Sequence, residues 1–159
     1  MAKDIEWVCT ANIDRGPFAE IFMKRKLKEK GIEGIGVYSS GTMVSDMPLG
    51  LRRMVERQKP YRDQMIIERG LSELLYHEQK QTIIRPEAEL IFALSRGNFE
   101  RVNEIYSKAV EKPDIRMLEC VIPLFRSFES YKKMVEQIEA LVSNMTDEYF
   151  KSLGSQRAL

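Results

Sequence analysis

Residues 5–17 read IEWVCTANIDRGP, and this segment is the strongest indication of the fold in the sequence. Its first four residues are mostly β-branched or aromatic and contain no breaker, which predicts a short buried strand. Pro17 suits the first turn of a helix. An apolar stripe then predicts a helix over residues 19–30, which Gly31 ends. The segment therefore predicts a strand, a loop and a helix in that order.

The loop between the predicted strand and helix carries residues that suit a tetrahedral oxyanion. Five residues separate Cys9 from Arg15, so one short Cys-x5-Arg loop can place a thiol and a guanidinium around the same anion. Loop N–H groups and the positive end of the following helix add to the attraction. Cys9 and Arg15 are the predicted catalytic residues. The predicted phosphate-binding residues are Thr10, Ala11, Asn12, Ile13, Asp14 and Arg15.

The surroundings of Cys9 also predict its reactivity. A positive environment lowers the pKa of a thiol and increases the fraction of thiolate, which is the nucleophilic form. We therefore expect the pKa of Cys9 to lie below the usual value of about 8.5. A lone cysteine after a strand is otherwise most often a small buried apolar residue. Asn12, Arg15 and Pro17 in the same segment favour the phosphate loop.

Strand and helix patterns alternate along the rest of the chain. Further strands are predicted over residues 35–38, over 88–94 and within 115–122. Helices are predicted over 49–75, with breaks at Pro60 and Gly70, and over 99–110 and 128–142. This alternation predicts βαβ units and a mainly parallel sheet. Ligands of such sheets bind at the carboxyl ends of the strands, where the Cys9 loop would lie.

Composition and charge exclude several classes of function. A length of 159 residues predicts one domain over residues 1–159. The formal net charge is +1, no basic block occurs and no apolar stretch could cross a bilayer, so neither nucleic acid nor a membrane is a predicted partner. The N-terminus has no signal-peptide pattern, and two cysteines suit reduced thiols, which predicts a cytoplasmic protein. One histidine and no Cys/His cluster predict neither a metal nor another cofactor.

Four segments of the chain resemble the low-molecular-weight protein tyrosine phosphatases, which share their fold with related arsenate reductases. The family motif Val-Cys-x-Gly-Asn-x-Cys-Arg-Ser-Pro is similar to Val8–Pro17, and its Ser-Ala-Gly-Thr is similar to Ser39–Thr42. Residues 77–81, 88–94 and 99–102 resemble a later family segment, and residues 128–131 fit its closing helix. The resemblance implies a flavodoxin-like three-layer α/β sandwich, with helices on both faces of a four-stranded parallel sheet.

The resemblance also implies a function. It implies a cysteine-dependent phosphatase that hydrolyses phosphotyrosine-like aryl phosphate monoesters through a phosphocysteine intermediate. The expected partner is a phosphate monoester or a phosphotyrosine protein. The similarity is poorest over residues 42–67, which should shape specificity, so the natural substrate stays open. The oligomeric state is open as well.

One departure from the family concerns the general acid, which is an Asp before a proline. The register that keeps the last helix in step places that proline at Pro123, so Ile122 occupies the position of the acid. A hydrocarbon side chain cannot donate a proton, and the loss of a general acid costs about 10²–10⁴ in rate. We therefore expect slow turnover and a preference for good leaving groups. Asp14 or Glu119 could replace the acid, and a second alignment would use Asp114.

Three further departures lie in the loop. Gly16 stands where the family has a serine whose hydroxyl stabilises the thiolate, and Ala11 stands for a glycine. Asp14 stands for a second cysteine. An ionised Asp14 would repel phosphate and raise the pKa of Cys9, whereas a protonated Asp14 could donate a hydrogen bond. Gly16, Asp14 and the missing general acid favour the alternative function, a catalytically inactive relative that binds phosphate or a phosphoprotein.

Five residues outside the loop receive weaker assignments. Ser40 and Thr42 could support the loop from behind. His77 is expected at a helix end or on the surface rather than in catalysis. Cys120 is expected to be buried, although it is the only available resolving cysteine for an arsenate reductase. Phe125 could line a pocket for an aromatic ring or pack in the core.

Overall fold

The structure is a computed structural model that describes residues 3–120 and 127–157. Strands and helices alternate within these ranges. The elements are β1 (Lys3–Cys9), α1 (Arg15–Glu29), β2 (Ile35–Gly41), α2 (Leu49–Arg69), a 3-10 helix (Ser72–Tyr76), β3 (Ala88–Ala93), α3 (Arg96–Tyr106), β4 (Asp114–Met117) and α4 (Phe128–Arg157). None of the helices in the described ranges is long and apolar enough to cross a bilayer.

The four strands form one parallel sheet in the order β2-β1-β3-β4. β1 is therefore an inner strand. Its last residue, Cys9, lies opposite Gly41 at the end of β2, and Val8 lies opposite Ala93 at the end of β3. The loop that follows β1 consequently leaves the sheet at its carboxyl edge, between two flanking strands. The predicted position of this loop is confirmed.

The two faces of the sheet are covered by different helices. Ile5 and Trp7 of β1 belong to a buried cluster that includes residues of α1, α2 and α4. Val8, which points to the opposite face of the strand, packs with Val102 and Tyr106 of α3. Apolar residues on both faces are typical of parallel strands that helices cover on each side. The predicted three-layer α/β fold with a four-stranded parallel sheet is confirmed.

Helix α2 differs from its sequence-based prediction. The predicted break at Pro60 is wrong, because the helix continues through this residue. Proline removes one backbone donor, but Gln58 before it and Met65 and Ile66 after it are buried against the protein. Packing on both sides therefore keeps the helix continuous. The predicted end at Gly70 is confirmed, and this glycine has a left-handed conformation with φ of 61°.

Helix α4 is twice as long as its predicted span of residues 128–142. The sequence becomes more polar after residue 142, so its apolar periodicity does not predict the second half of the helix. In the structure, Lys26 of α1 and Lys30, which follows the helix directly, lie 3.6 and 3.0 Å from the Asp147 carboxylate. Thr146 is also buried against the protein. Contacts with α1 therefore extend α4 beyond its clearly amphipathic part.

Candidate active site

The loop after β1 makes a sharp turn at Asn12, and this turn directs backbone N–H groups toward Cys9. Asn12 has φ of 54°, a left-handed conformation that asparagine tolerates better than most residues. The turn brings the backbone N–H of Asn12 to 3.3 Å from Cys9 Sγ. The N–H of Gly16, in the first turn of α1, also donates to this sulfur. The thiol of Cys9 therefore lies at the base of a loop whose amides point inward.

The Asn12 side chain holds the loop to two neighbouring segments. Its Nδ2 donates to Ser39 Oγ at 3.0 Å, and Ser39 Oγ donates to Glu20 Oε2 at 2.5 Å. Its Oδ1 accepts from the Lys80 backbone N–H at 2.9 Å and lies 3.0 Å from His77 Nε2. Burial lowers the pKa of His77, so the neutral ring can donate through Nε2. Asn12 is thus fixed from both sides of the loop.

Arg15 is directed into the protein rather than into solvent. Arg15 as a whole is only 7% exposed to solvent. One guanidinium nitrogen lies 3.3 Å from the Leu94 carbonyl oxygen, and the other lies 3.4 Å from Thr10 Oγ1. Asn98 Nδ2 lies 3.2 Å from both Thr10 Oγ1 and Thr42 Oγ1. The guanidinium is therefore held between the Leu94 carbonyl, just after β3, and the Thr10 side chain of its own loop.

Asp14 is bound by a residue from the far end of the chain. The Tyr131 hydroxyl on α4 donates to Asp14 Oδ1 at 2.6 Å. Burial of the carboxyl group raises the pKa of Asp14, although Tyr131, Arg62 and Arg15 act in the opposite direction. Burial and the Asp14 carboxylate likewise raise the pKa of Tyr131 well above its usual value. Asp14 consequently keeps its proton to a higher pH than an exposed aspartate does.

The pKa of Cys9 differs from its predicted direction. Burial of the sulfur raises this pKa, and the effect outweighs the opposing influence of Arg15 and of the Gly16 and Asn12 amides. Asp14 raises it further. The prediction of a lowered pKa is therefore wrong, because desolvation disfavours the thiolate more than the loop stabilises it.

Two glycines allow the loop to pack closely. A Cβ atom at Gly41 would lie 2.6 Å from the Thr10 carbonyl oxygen and 2.8 Å from the Asn12 nitrogen. Backbone atoms cannot give way easily, so only glycine fits at the end of β2. A Cβ atom at Gly16 would lie 3.1 Å from Cys9 Sγ. The absence of a side chain at Gly16 thus leaves room around the thiol.

Helix α2 covers the loop and encloses a small cavity of about 100 Å³. The cavity is lined by Cys9, Thr10, Ala11, Ile13, Asp14 and Arg15 from the loop and by Leu51, Met54, Val55 and Gln58 from α2. This volume suits a small group such as an oxyanion rather than a large ligand. The structure therefore brings Cys9 and most of the predicted loop residues into one cavity, with Asn12 supporting the turn.

The residues considered for the general acid have different positions. Ile122, Pro123 and Phe125 lie outside the described residues. Glu119 is exposed and does not line the cavity at Cys9. Asp14 does line this cavity. Of the two carboxylates named as replacements, only Asp14 lies beside the thiol.

Several supports of the loop differ from the sequence-based assignments. Ser40 bonds to Thr82 Oγ1 at 2.8 Å, and the neighbouring Ser39 contacts Asn12 instead. Thr42 donates its N–H to the Cys9 carbonyl at 3.0 Å, as its predicted supporting role requires. Sequence analysis did not connect His77 with Asn12, although the matching segment begins at this histidine.

Two further functional contacts were not found from the sequence. Gln79 Nε2 donates to the Ala11 carbonyl at 2.8 Å, and Asn98 contacts Thr10 across the carboxyl edge of the sheet. No local pattern announces either contact. Cys120 is buried as expected, and its N–H donates to the Leu94 carbonyl at 3.2 Å. Within residues 3–120 and 127–157, no group of three or more His, Cys, Asp or Glu side chains could hold a metal ion.

The chain is similar to a known protein family over almost its whole length. A family model described as "Low molecular weight phosphotyrosine protein phosphatase" matches residues 4–158. The low molecular weight protein-tyrosine-phosphatase PtpA of Staphylococcus haemolyticus is 46% identical over 39 residues, which are 24% of this chain and 25% of that protein. PtpA of Staphylococcus aureus has the same identity and coverage. The matched part is thus about a quarter of these relatives.

Solved structures show the same fold. The solution structure of a low molecular weight protein tyrosine phosphatase from Bacillus subtilis has a TM-score of 0.64 at 18% identity, covering 93% of this chain and 97% of that one. Vibrio vulnificus Wzb in complex with benzylphosphonate has a TM-score of 0.65 at 17% identity, covering 93% and 99%. At these identities, the likeness concerns the fold.

Proposed function

Because the chain belongs to the low molecular weight phosphotyrosine protein phosphatase family, we propose that it hydrolyses phosphotyrosine-like aryl phosphate monoesters with Cys9 as nucleophile. One observation carries this proposal. The Cys9 sulfur accepts the Asn12 N–H at 3.3 Å at the base of a loop that also contains the buried Arg15. Inward-pointing amides next to a helix N-terminus suit a phosphate group above the sulfur.

The reaction proceeds in two displacements at phosphorus. Cys9 Sγ attacks in line, so that an S–P bond forms while the P–O bond to the leaving group breaks. The amides of residues 10–15 and the Arg15 guanidinium stabilise the charge on the three other phosphate oxygens. A water molecule then gives a proton to Asp14 and attacks the phosphocysteine, so that the S–P bond breaks and inorganic phosphate and the Cys9 thiolate are released.

Asp14 is the proposed source of the proton for the leaving oxygen. It lines the same cavity as Cys9, whereas Glu119 does not. Burial raises the pKa of Asp14, so the acid form persists to higher pH. Tyr131 donates to Oδ1, which leaves Oδ2 to carry and deliver the proton. Turnover is slow, because the raised pKa of Cys9 leaves little thiolate near neutral pH.

The leaving group is proposed to contact α2. Leu51, Met54 and Val55 present apolar atoms above the loop, and such atoms suit an aromatic ring. The cavity of about 100 Å³ is smaller than ordinary ligand pockets of about 300 Å³ or more, so α2 moves outward to admit an aryl group. The benzylphosphonate of the Wzb complex supports an aromatic substrate.

The alternative function is binding of phosphate or of a phosphoprotein without turnover. Two observations favour it. The pKa of Cys9 is raised by burial, and Asp14 brings a carboxyl group into the loop. Both features weaken the nucleophile, while the amides and Arg15 remain available to an anion.

Turnover of p-nitrophenyl phosphate with and without vanadate tests the proposal. Vanadate-sensitive turnover that Cys9→Ser abolishes and Cys120→Ala retains supports the enzyme, because Cys120 is a buried cysteine outside the loop. Unchanged turnover in Cys9→Ser would contradict the assigned nucleophile. Phosphate affinity is measured in parallel by calorimetry. Binding without turnover by the parent protein would support the inactive relative instead.

A further inference from the structure

A second cleft opens beside the phosphate loop and has a volume of about 260 Å³. Its lining residues are Ile13, Asp14, Val55, Glu56, Lys59, Arg62, His77 and Gln79. Ile13, Asp14 and Val55 also line the cavity that contains Cys9. The cleft therefore adjoins the place that the substrate phosphate would occupy, and it is large enough for a side chain next to the phosphorylated one.

Two cations of α2 line this cleft. Lys59 and Arg62 are three residues apart, so they share one face of the helix. Lys59 is exposed and has no ion pair within the described ranges. Arg62 has one ion pair there, with Asp63 at 3.8 Å, and its buried Nε has no hydrogen-bond partner. Lys59 and the 23% of the Arg62 side chain that is exposed can therefore bind an anionic group of a ligand, whereas the buried Nε is not accessible to it.

Two acidic residues, Glu56 and Asp14, also line the cleft. Asp14 already accepts the Tyr131 hydroxyl at 2.6 Å, which ties its carboxyl group to α4. His77 has a pKa lowered by burial and is neutral near pH 7. Lys59 and Arg62 together thus outweigh the charge of Glu56.

The charge of α2 extends this positive environment beyond the cleft. Residues 49–63 contain five Lys or Arg residues against two Asp or Glu residues, whereas the whole chain has a formal charge of only +1. Arg52, Arg53 and Arg57 are exposed on this helix. Positive charge is therefore concentrated on α2, the helix that covers the loop. This positive charge complements an acidic partner.

We propose that Lys59 and Arg62 form a subsite for a carboxylate that flanks the phosphorylated residue of a protein substrate. The inference rests on the proposed phosphatase function and adds a substrate class, acidic phosphopeptides. The cleft is bounded by the apolar side chains of Ile13 and Val55, which suit the methylene groups of a glutamate. Its two cations suit the carboxylate end.

The test compares two phosphotyrosine peptides that differ only in flanking residues, four glutamates in one and four glutamines in the other. For the parent protein at low ionic strength, we expect kcat/KM to favour the acidic peptide about three- to tenfold. Lys59→Gln should reduce this ratio, and the double variant with Arg62→Gln should bring it near unity. Arg57→Gln is the matched control, since Arg57 is exposed on the same helix outside the cleft.

The outcomes separate the subsite from the phosphatase function. Equal kcat/KM for both peptides in the parent would overturn the subsite while the function stands. An equal loss of the ratio in Arg57→Gln and Lys59→Gln would overturn it as well, because the attraction would then be non-local. If the double variant does not fold, the exposed Lys59→Gln alone decides. If the parent hydrolyses neither peptide nor p-nitrophenyl phosphate, the proposed phosphatase function is rejected. The subsite is then tested by calorimetry with Cys9→Ser: tighter binding of the acidic peptide supports it, and equal affinities for the two peptides overturn it.

Discussion

The hydroxyl of Tyr131 lies 2.6 Å from Asp14 Oδ1 and donates a hydrogen bond to it. This bond joins α4 to the residue immediately before Arg15. At this position the resembling family motif has a second cysteine, and here a carboxyl group takes its place. A buried carboxyl group requires a donor, and Tyr131 supplies it. The two residues therefore act as one structural unit of the loop.

Tyr131→Phe should lower the free energy of unfolding by about 1.5–3 kcal/mol, because a hydrogen bond to a carboxyl group is lost. Urea unfolding at pH 7 measures this change. Tyr61→Phe is the control, since the Tyr61 hydroxyl makes no hydrogen bond within the described part of the chain and its ring lies 6.4 Å from that of Tyr131. Equal losses in the two variants would show that the Asp14 bond contributes nothing.

The raised pKa of Asp14 predicts a pH dependence of stability. Burial raises this pKa above 3.8 in the folded state, so the folded protein holds this proton more tightly than the unfolded chain. Stability from this group is fully present below the unfolded pKa and is lost as pH rises through the folded pKa. In the variant Asp14→Asn, the amide side chain does not titrate, so the variant lacks this contribution. We expect parent stability, measured by urea unfolding, to fall relative to the variant as pH rises from about 4. Parallel pH profiles would contradict the raised pKa.

Gly16→Ser should lower the pKa of Cys9 relative to Gly16→Ala. Both variants introduce a Cβ that would lie 3.1 Å from Cys9 Sγ, so their steric effects match. Only serine adds a hydroxyl that can donate to the thiolate, which should shift the pKa by about one unit. Thiolate absorbance at 240 nm, referred to Cys9→Ser, measures the shift. Identical titrations of the two variants would exclude a hydroxyl–thiolate bond.

Asn12→Ala should destabilise the protein more than Asn12→Gly. Both variants lose the side-chain bonds to Ser39 and Lys80. Only alanine also has to adopt the φ of 54° with a Cβ atom, which costs about 1–2 kcal/mol. Urea unfolding of the two variants gives the difference. If alanine were tolerated as well as glycine, the left-handed turn would not be a requirement of the loop.

Pro60→Ala should stabilise the protein by about 1–3 kcal/mol, because it restores a backbone donor inside α2. Pro60 is exposed, so little packing is lost. Gln64→Ala, an exposed change on the same helix, should alter stability by no more than about 0.5 kcal/mol. Thermal unfolding of both variants measures the effect. A destabilised Pro60→Ala would mean that the proline is required where it stands.

The sequence predicts the sheet and the position of the loop, because their signals are local. The residues that indicate β1, the loop and α1 lie within a few positions of each other. The alternation of strands and helices then gives the parallel sheet. The course of α2 through Pro60 could not be predicted, since it depends on the burial of Met65 and Ile66 against other elements.

The supports of the loop could not be predicted for a similar reason. Ser39, His77, Asn98 and Tyr131 are distant from the loop in sequence, and only the folded chain brings them to it. The pKa of Cys9 was mispredicted for a related reason. Local motifs show which charges stand beside a thiol, but the degree of burial depends on the whole domain.

The bond between Tyr131 and Asp14 has a consequence for biosynthesis. Asp14 is translated 117 residues before Tyr131, so the bond between them cannot form until the later residue has been synthesised. A nascent polypeptide therefore exposes the thiol before the loop around it can be completed. The order of synthesis therefore delays the fully supported loop until the chain has been made as far as α4.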